Sequence, residues 1–389
     1  MESKHPELRF SGFDEEWNKR KLGEIVSIFK GEQRGKQEIS IIRTDENPYP
    51  VYNGGRNVSG YTDEYNRENK VMLSEGGASA GFVNYYKDKY WSGGHNFTID
   101  NLENNLDFIY AILSANQDKL YGLKVGSGLP NIQLNSIVNF EVSLPSIEEQ
   151  KKLGFFFKNM NDVITFQQQE LTTLKQIKQG FLQKMFPKEG EKVPEVRFPG
   201  FTDDWEQHNL TDVGSLNRGK SKHRPRNDPK LYGGKYPFIQ TGDVARAGLF
   251  LNNYQQTYSE YGIKQSKLWD KGTLLITIAA NIAETSILNI KAAFPDSVIG
   301  FESNQVDMVF IKNIIDNASN TLKSKAETSS QANLNLSKLS ELTIIIPTYN
   351  EQKKIGDFFK QLDKTISLHQ RELELLQLTK KAFLQKLFV

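Results

Sequence analysis

Apolar residues recur at alternating spacings of four and three positions along two long stretches of the sequence, 153–185 and 355–387. This heptad spacing continues for more than four heptads in each stretch, which predicts coiled-coil helices rather than helices that lie on a globular core. The apolar seam positions are Leu153, Phe157, Met160, Ile164, Leu171, Leu174 and Phe181 in the first stretch and Ile355, Phe359, Leu362, Ile366, Leu373, Leu376 and Phe383 in the second.

Polar residues interrupt both seams at matching positions. Gln167 corresponds to His369, and Lys178 corresponds to Lys380. Polar seam residues lower stability and often fix the register or orientation of paired helices. The alternative is that these side chains lie near the surface of a short stretch.

Both helices have clear starting signals. Pro145 and Pro347 cannot continue a helix interior, and Ser146 and Thr348 can cap the turn that follows. We expect two helices of about 38 residues, each roughly 57 Å long, that pair in antiparallel fashion and carry one globular segment at each end. The alternative is that each helix packs separately on its own domain.

The chain contains an internal duplication. Residues 144–186 align without gaps with residues 346–388 at an offset of 202, and 20 of the 43 positions are identical. A second repeat relates Pro6–Trp17 to Pro194–Trp205 at an offset of 188, with 7 of 12 positions identical. Two units of this size indicate a duplicated domain plus helix rather than a solenoid.

The segments between the repeats, 18–143 and 206–345, share little with each other beyond a short stretch before the helix. Both are rich in glycine, asparagine, aromatic and β-branched residues, with frequent turn signals, which favours β-rich α+β domains. A polar linker at Pro187–Val193 separates the two halves.

Composition narrows the class of protein. Of the 389 residues, 25% are charged and 11% are aromatic, the net charge is +2, and there is no cysteine. A folded protein without disulfides or thiolate metal sites is therefore expected. No apolar run reaches the 18–20 residues or so that cross a bilayer, and the first residues do not resemble a signal peptide, so we expect no membrane partner and a cytoplasmic location.

Basic residues gather locally although the whole chain is nearly balanced. The segment Ser215–Lys230 holds six Lys or Arg against one Asp, and a sparser run lies at Lys30–Lys36. Such loops can neutralise phosphates or reach base edges, although many charge runs are only solvated surface. The nucleic-acid hypothesis selects Arg218, Lys220, Lys222, Arg224 and Arg226, with Arg34, Lys36 and Arg43 as counterparts in the first domain.

Catalytic motifs are weak. Gly214–Ser221 matches the phosphate-binding pattern G-x-x-x-x-G-K-S, but Pro225 and Pro229 oppose the helix that this loop requires. Glu149 and Glu351 match part of a nuclease signature, yet they stand at helix starts, where helix-terminal charge explains them. We identify no catalytic set and no metal site.

Three features of the sequence occur together: the repeated openings Pro6–Trp17 and Pro194–Trp205, the Pro and Glu-Gln-Lys leads into both long helices, and the Tyr236–Asp243 run (YPFIQTGD). By these features the chain resembles the specificity subunit of type I DNA restriction-modification enzymes over almost its whole length.

This resemblance implies a non-catalytic subunit with two target recognition domains, residues 1–143 and 194–345, each reading half of a split, asymmetric target in double-stranded DNA. Residues 144–187 and 346–389 would be the coiled-coil helices, and residues 188–193 the linker. The implied partners are two modification subunits, which hold S-adenosylmethionine and methylate adenine, and restriction subunits that use ATP and Mg. This chain itself would bind no cofactor.

Two other functions stay open from the sequence. One is a coiled-coil adaptor that binds only protein. The other is a nucleotide-dependent enzyme that uses Gly214–Ser221.

Overall fold

The computed structural model describes residues 5–101, 105–188, 190–327 and 334–389. Residue contacts divide the chain into two compact units. The first unit comprises Met1–Gln168 together with Glu372–Val389, and the second comprises Gln169–Arg371. Each unit therefore contains part of both long helices as well as one of the two variable segments.

The first unit is built on a sheet with strand order β2-β7-β5-β6-β3-β4, and a separate pair joins β1 to β8. Helices follow the sheet in the sequence and lead to the first long helix, α5, which continues into the second unit. The elements are β1 (Asn18–Lys21), α1 (Leu22–Ile25), β2 (Val26–Lys30), β3 (Tyr49–Tyr52), β4 (Gly60–Thr62), β5 (Arg67–Ser74), β6 (Val83–Ser92), β7 (Asn96–Asn101), α2 (Leu106–Ala115), α3 (Gln117–Tyr121), α4 (Leu134–Val138), β8 (Glu141–Leu144) and α5 (Ile147–Lys184).

The second unit has a sheet with the order β10-β16-β14-β15-β12 and the pairs β11-β13 and β9-β17. Its elements are β9 (Glu206–Asn209), β10 (Ser215–Arg218), β11 (Tyr232–Phe238), α6 (Thr241–Arg246), β12 (Phe250–Leu251), β13 (Gln256–Tyr258), α7 (Glu260–Lys264), β14 (Leu274–Thr277), β15 (Thr285–Leu288), β16 (Val298–Glu302), α8 (Met308–Asn317), α9 (Ser319–Glu327), α10 (Leu336–Ser340), β17 (Thr343–Ile346) and α11 (Tyr349–Lys386).

The duplication begins earlier than the sequence repeat. Helices α2 and α8, α4 and α10, and strands β8 and β17 all correspond at the same offset of 202 as the long helices. The side chain of Asn105 caps α2 and that of Asp307 caps α8, each accepting a hydrogen bond from the third helical residue. Residue identity indicates only a short shared stretch before the long helix, and the structure extends it back to these caps.

A glycine in each long helix makes room for the equivalent cap. A Cβ on Gly154 would lie 2.7 Å from Oδ1 of Asn105, and a Cβ on Gly356 would lie 2.3 Å from Oδ1 of Asp307. Because real Cβ atoms do not approach so closely, any larger residue would push the helix away from the cap. Glycine thus stands inside both helices, where it normally lowers helix stability.

The long helices pair with opposite directions within each unit. In the first unit, Phe156 of α5 packs edge-on against Phe383 of α11, with ring centres 5.2 Å apart. In the second unit, Phe181 packs against Phe358 at 5.0 Å, and Glu170 lies near His369. The predicted α+β fold class with an antiparallel helix pair is confirmed, and separate packing of each helix on its own domain is wrong.

The seam positions follow the predicted spacing. Every apolar seam residue named above is buried or partly buried, and so are the four polar seam residues. Leu153, Phe157, Ile355 and Phe359, near the starts of the two helices, are each at most 2% exposed. These residues belong to the two main hydrophobic cores, so the helices also complete the cores of their units.

A buried ion pair joins each repeated opening segment to the start of a long helix. Arg9 donates two hydrogen bonds to Glu149, at 2.8 and 2.7 Å, and Arg197 donates two to Glu351, at 2.7 and 2.8 Å. Each glutamate side chain is only 1% exposed. Helix-terminal charge is therefore an incomplete explanation of the glutamates, because these carboxylates also hold the opening segments in place.

The opening segments also bind the far ends of the long helices. In the second unit the backbone N–H of Val196 donates to the carbonyl of Lys184 at the end of α5. In the first unit Leu8 donates in the same way to Lys386 at the end of α11. Val196 and Lys184 lie on either side of the short linker, whereas Leu8 and Lys386 are far apart in the sequence.

The two seam lysines have different surroundings. Lys178 forms a 2.6 Å ion pair with Asp363, and both side chains are mostly buried. The repeat places Asn161 where a partner of Lys380 would stand, and the ammonium group of Lys380 lies 5.4 Å from the ring centre of Tyr110. Burial lowers the pKa of Lys380, because the charged form loses water without gaining a carboxylate.

Substitution of the two lysines by methionine should therefore change stability in opposite directions. Lys178→Met leaves Asp363 unpaired and should lower the free energy of unfolding by about 1–3 kcal/mol. Lys380→Met removes a desolvated charge and should leave stability equal or raise it by roughly 1 kcal/mol. Denaturant titration of the two variants and the wild type measures both effects.

The pH dependence provides a second readout. Because the folded-state pKa of Lys380 is lowered, its cost is present in full below that pKa and disappears as the pH rises through it. The advantage of Lys380→Met over the wild type should therefore shrink at alkaline pH. Equal loss of stability in both variants at neutral pH would contradict this account.

Candidate nucleic-acid interface

The predicted basic loop of the second unit lies at one end of its sheet. Arg218 ends β10 opposite Ile299, and Thr277 ends β14 opposite Val298 at the start of β16. The ends of β10 and β14 and the start of β16 thus share one end of the sheet, which we call the loop end. The other end adjoins the long helix, since the backbone N–H of Asp307 donates to Gln352 of α11.

The backbone of the basic loop is firmly held. Gly219, Lys220 and Lys222 donate backbone hydrogen bonds to Val298, Phe294 and Gln265, and the hydroxyl of Ser266 donates to the carbonyl of Lys220. Gly219 is required here, because a Cβ would lie 2.3 Å from two backbone oxygens. The loop therefore presents its side chains from a preformed backbone.

Aromatic residues pack against the basic loop. Tyr258 stacks on Phe238 with ring centres 3.8 Å apart, and its hydroxyl lies 3.4 Å from the Ser221 hydroxyl. Burial raises the pKa of Tyr258, and its hydroxyl has Ser221 as its hydrogen-bond partner. Phe238 and the first turn of α6 belong to the Tyr236–Asp243 run, and through Phe238 this run packs beneath the loop.

The five predicted cations of this loop are all exposed, but their side chains are engaged differently. Arg224 donates to the carbonyls of Ser221 and His223 in its own loop, and Arg226 forms a 2.6 Å ion pair with Asp296. Within the described ranges, the side chains of the other three contact no hydrogen-bond or ion-pair partner. These three are Arg218, Lys220 and Lys222.

Asp228 stabilises the later part of the basic loop through its side chain. Asp228 accepts a hydrogen bond from the backbone N–H of Lys230 and lies 2.8 Å from the His223 ring, whose other nitrogen lies 3.2 Å from the Tyr261 hydroxyl. The backbone bond and the histidine hold the pKa of Asp228 below its usual range. This carboxylate therefore serves the loop structure.

The phosphate-binding pattern Gly214–Ser221 does not form a nucleotide loop. Its central residues Ser215–Arg218 are strand β10, and no α-helix follows it until α6 at Thr241. The backbone N–H groups cannot converge on a phosphate at a helix N-terminus as that motif requires. In the described part of the chain, no cluster of three or more His, Asp or Glu could hold a metal ion.

The first unit does not gather its predicted cations in the same way. Arg34 is 11% exposed, forms ion pairs with Asp63 and Glu64 at 2.6 and 3.2 Å, and stacks over the Trp91 ring. Lys36 and Arg43 are exposed on the segments that follow. The structure thus leaves Arg34 little freedom to contact a ligand, whereas Lys36 and Arg43 stay available.

One cation of the first unit escapes the sequence-based selection. Lys30 ends β2 opposite Phe97, and this pairing corresponds to that of Arg218 with Ile299. The offset of 188 between the repeated openings carries residue 30 to residue 218, so the sequence holds the signal. The basic-loop pattern of the sequence selects Arg34 and Lys36, the neighbours of Lys30, instead.

Comparison with known proteins identifies the family. A family model described as the type I restriction modification DNA specificity domain matches residues 14–176 and again residues 202–378. The chain belongs to this family. The two matches coincide with the two halves of the duplication and cover the sheets, the basic loop and most of both long helices.

Individual relatives agree with this assignment. The MjaVIII specificity subunit of a type I restriction enzyme from Methanocaldococcus jannaschii is 21% identical over 96% of this chain and 92% of its own length. A type I restriction-modification S subunit from M. genitalium has a TM-score of 0.73 and 19% identity, with 99% of both chains covered. At this identity the structural likeness shows a shared fold.

A second solved structure comes from work on complex assembly and conformational transition of the type I system. It has a TM-score of 0.54 and 15% identity over 97% of this chain and 98% of its own.

Among the helices of the described residues, none combines the length and the apolar character that a membrane span requires.

The free lysines of the basic loop give a test of DNA contact. Lys220→Gln and Lys222→Gln together should weaken DNA binding and lower the slope of log affinity against log salt by about 0.9 for each phosphate that is no longer neutralised. Lys271→Gln is a matched control, because Lys271 is exposed in the turn before β14, at the opposite end of that strand. Fluorescence anisotropy over a salt series measures the slope, and an unchanged slope would exclude these lysines as phosphate contacts.

Proposed function

We propose that this chain is the sequence-reading subunit of a type I restriction-modification complex that binds a split, asymmetric DNA target. Each unit would read one half of the target. The long helices would fix the number of unspecified base pairs between the halves. Partner subunits would carry out adenine methylation and restriction.

The observation that carries this proposal is a constant frame bearing two different sheets. The cap, glycine and buried ion pair recur in both units at fixed offsets. The sheets share the order β2-β7-β5-β6 and β10-β16-β14-β15, but the first has six strands and the second five beside the separate pair β11-β13, and the loops at their ends differ in sequence and length. A protein that must read two unlike half-sites needs such a division, since base contacts of about 1–3 kcal/mol each depend on side chains that can vary without disturbing the frame.

The helix pair suits a fixed separation. Each helix runs for 38 residues, and a stiff pair holds its ends at a set distance, whereas a flexible linker would not. Recognition of two half-sites on one duplex depends on their separation relative to the helical repeat of DNA, about 34–36 Å. The frame would therefore determine the gap and the sheets would determine the bases.

In this proposal the chain is not an enzyme. S-adenosylmethionine, ATP and Mg would be bound by partner subunits, and this chain would bind no cofactor. The strand conformation of Ser215–Arg218 supports this view, because it removes the one nucleotide-binding pattern that the sequence offered.

The central test is a map of methylated adenines in a host that carries this chain and its partner subunits. We expect methylation at a single motif of two short halves separated by a fixed gap.

Replacing residues 206–306 with the corresponding segment of another family member should change one half of the motif and leave the other half and the gap intact. A contiguous motif would contradict recognition by two units, and the absence of sequence-selective DNA protection would favour a protein-only adaptor.

Two modification subunits, and further restriction subunits, are the proposed protein partners. The long helices expose large apolar side chains that lie outside the seam. In the first unit these include Val163, Phe166, Leu375 and Leu378, of which Phe166 is 57% and Leu375 63% exposed. Several large apolar side chains left exposed within two short stretches of helix favour a protein interaction site there.

Polar substitution of this surface should weaken assembly. Phe166→Ser with Leu375→Ser should reduce co-purification of the modification subunit, because less apolar area is then buried on binding. The repeat places Thr173 and Gln176 where Leu375 and Leu378 stand in the other helix, so Gln176→Ser is a matched control. Analytical ultracentrifugation of the assembled complex measures the result, and full assembly by the double variant would argue against this surface.

A further inference from the structure

The first unit has its own loop end, made from the same strand ends as in the second unit. Lys30 ends β2 opposite Phe97, and Ser74 ends β5 opposite Asn96 at the start of β7. The equivalent positions of the second unit are the ends of β10 and β14 and the start of β16, where the basic loop lies. The loop that follows β5, Glu75–Phe82, therefore corresponds in position to the loop between β14 and β15.

Basic side chains from four separate segments surround Glu75–Phe82. Lys30 forms a 2.6 Å ion pair with Glu75, and the His95 ring lies 3.8 Å from the same carboxylate. The guanidinium of Arg56 lies 5.1 Å from the Phe82 ring centre, and the ammonium of Lys124 donates to the carbonyl of Ala78 at 3.5 Å. The DNA contacts predicted from the sequence include none of these four residues, although Lys30 opens the run Lys30–Lys36, because the four are scattered over 95 positions along the chain and only the fold brings them together.

The positive charge of this loop end exceeds its local compensation. Glu75 is the single acidic residue of the loop, and both Lys30 and His95 share its carboxylate. Arg56 donates to the hydroxyl of Tyr121 at 3.2 Å, which leaves most of the donors of its guanidinium fork unused. Lys30 is 55% and His95 63% exposed, so these donors can reach a ligand without unfolding the loop.

An apolar side chain projects beside these cations. Leu129 is 85% exposed at the tip of a turn whose base is closed by hydrogen bonds in both directions between Val125 and Asn131. The next residue, Pro130, accepts a hydrogen bond from the backbone N–H of Gly77 at 2.9 Å. The turn is thus fastened to Glu75–Phe82, and its leucine is held in water at the cationic end of the sheet.

We infer that the loop end of the first unit is its DNA-contacting surface, with Lys30, Arg56 and Lys124 binding backbone phosphates and Leu129 in contact with the groove between them. This inference rests on the proposed function and adds to it the residues by which the first half-site is held. The two units would then present the same end of their sheets to DNA, with the positive charge supplied by different residues. This surface does not include the predicted Arg34, whose side chain is held by Asp63, Glu64 and Trp91.

The first experiment measures binding of the assembled complex to a duplex that carries the motif found by methylation mapping. The triple variant Lys30→Gln, Arg56→Gln and Lys124→Gln should weaken binding by about tenfold or more at low salt and lower the salt slope by roughly 0.9 for each phosphate that the variant no longer binds. Arg20→Gln is the control, because Arg20 is an exposed cation of the same unit on β1, next to β8, and pairs with nearby Glu24. Wild-type affinity and slope in the triple variant would overturn the inference.

The second experiment does not depend on removing charge. The sequence contains no cysteine, so Leu129→Cys creates a single site for a benzophenone maleimide. Ultraviolet irradiation should crosslink this position to the target duplex, and Arg20→Cys with the same label should give no crosslink. Equal crosslinking at both positions, or none at residue 129, would contradict the assignment.

The two experiments separate this inference from the function on which it rests. If the wild-type complex shows no preference for any sequence, the proposed function fails and the inference fails with it. If the wild-type complex binds its motif but the triple variant and the label at residue 129 behave like their controls, only the inference fails.

Discussion

A carboxylate in the first turn of each long helix, enclosed by protein and held by an arginine fork, is the interaction on which the frame of this molecule depends. Burying an ionised carboxylate costs several kcal/mol, and only good geometry with hydrogen bonds to both oxygens offsets that cost. An arginine guanidinium donates hydrogen bonds to both carboxylate oxygens at once, whereas a lysine ammonium would act as a point charge. The pairs of Arg9 with Glu149 and Arg197 with Glu351 thus fix where each opening segment meets its helix.

The frame and the variable loops occupy opposite ends of the second sheet. At one end β16 leads to the cap of α8 and its hydrogen bond with α11, so changes there would disturb the helix. At the other end lies the basic loop that follows β10, whose backbone is anchored while the side chains of Arg218, Lys220 and Lys222 are exposed to solvent. This arrangement lets recognition residues change while the cap, the glycine and the ion pair stay the same.

The sequence is informative where the physics is local. Heptad spacing and the two repeats predict the helices and the duplication, because seam positions and caps depend on neighbours three or four residues away. The sequence is less informative for Arg34, whose ion-pair partners Asp63 and Glu64 lie about thirty positions away. It also conceals the correspondence of α2 with α8, since their shared position is preserved by packing on the long helices rather than by residue identity.

The contact of Leu8 with the end of α11 and that of Val196 with the end of α5 are the same contact, made once without and once with a peptide connection nearby. Positioning of an opening segment thus needs no covalent tether to the helix that receives it. The order in which the two halves follow each other in the sequence therefore matters little to these contacts: a polypeptide opened within Pro187–Val193 and joined instead between the end of α11 and the segment that holds Leu8 would retain every pairing described above.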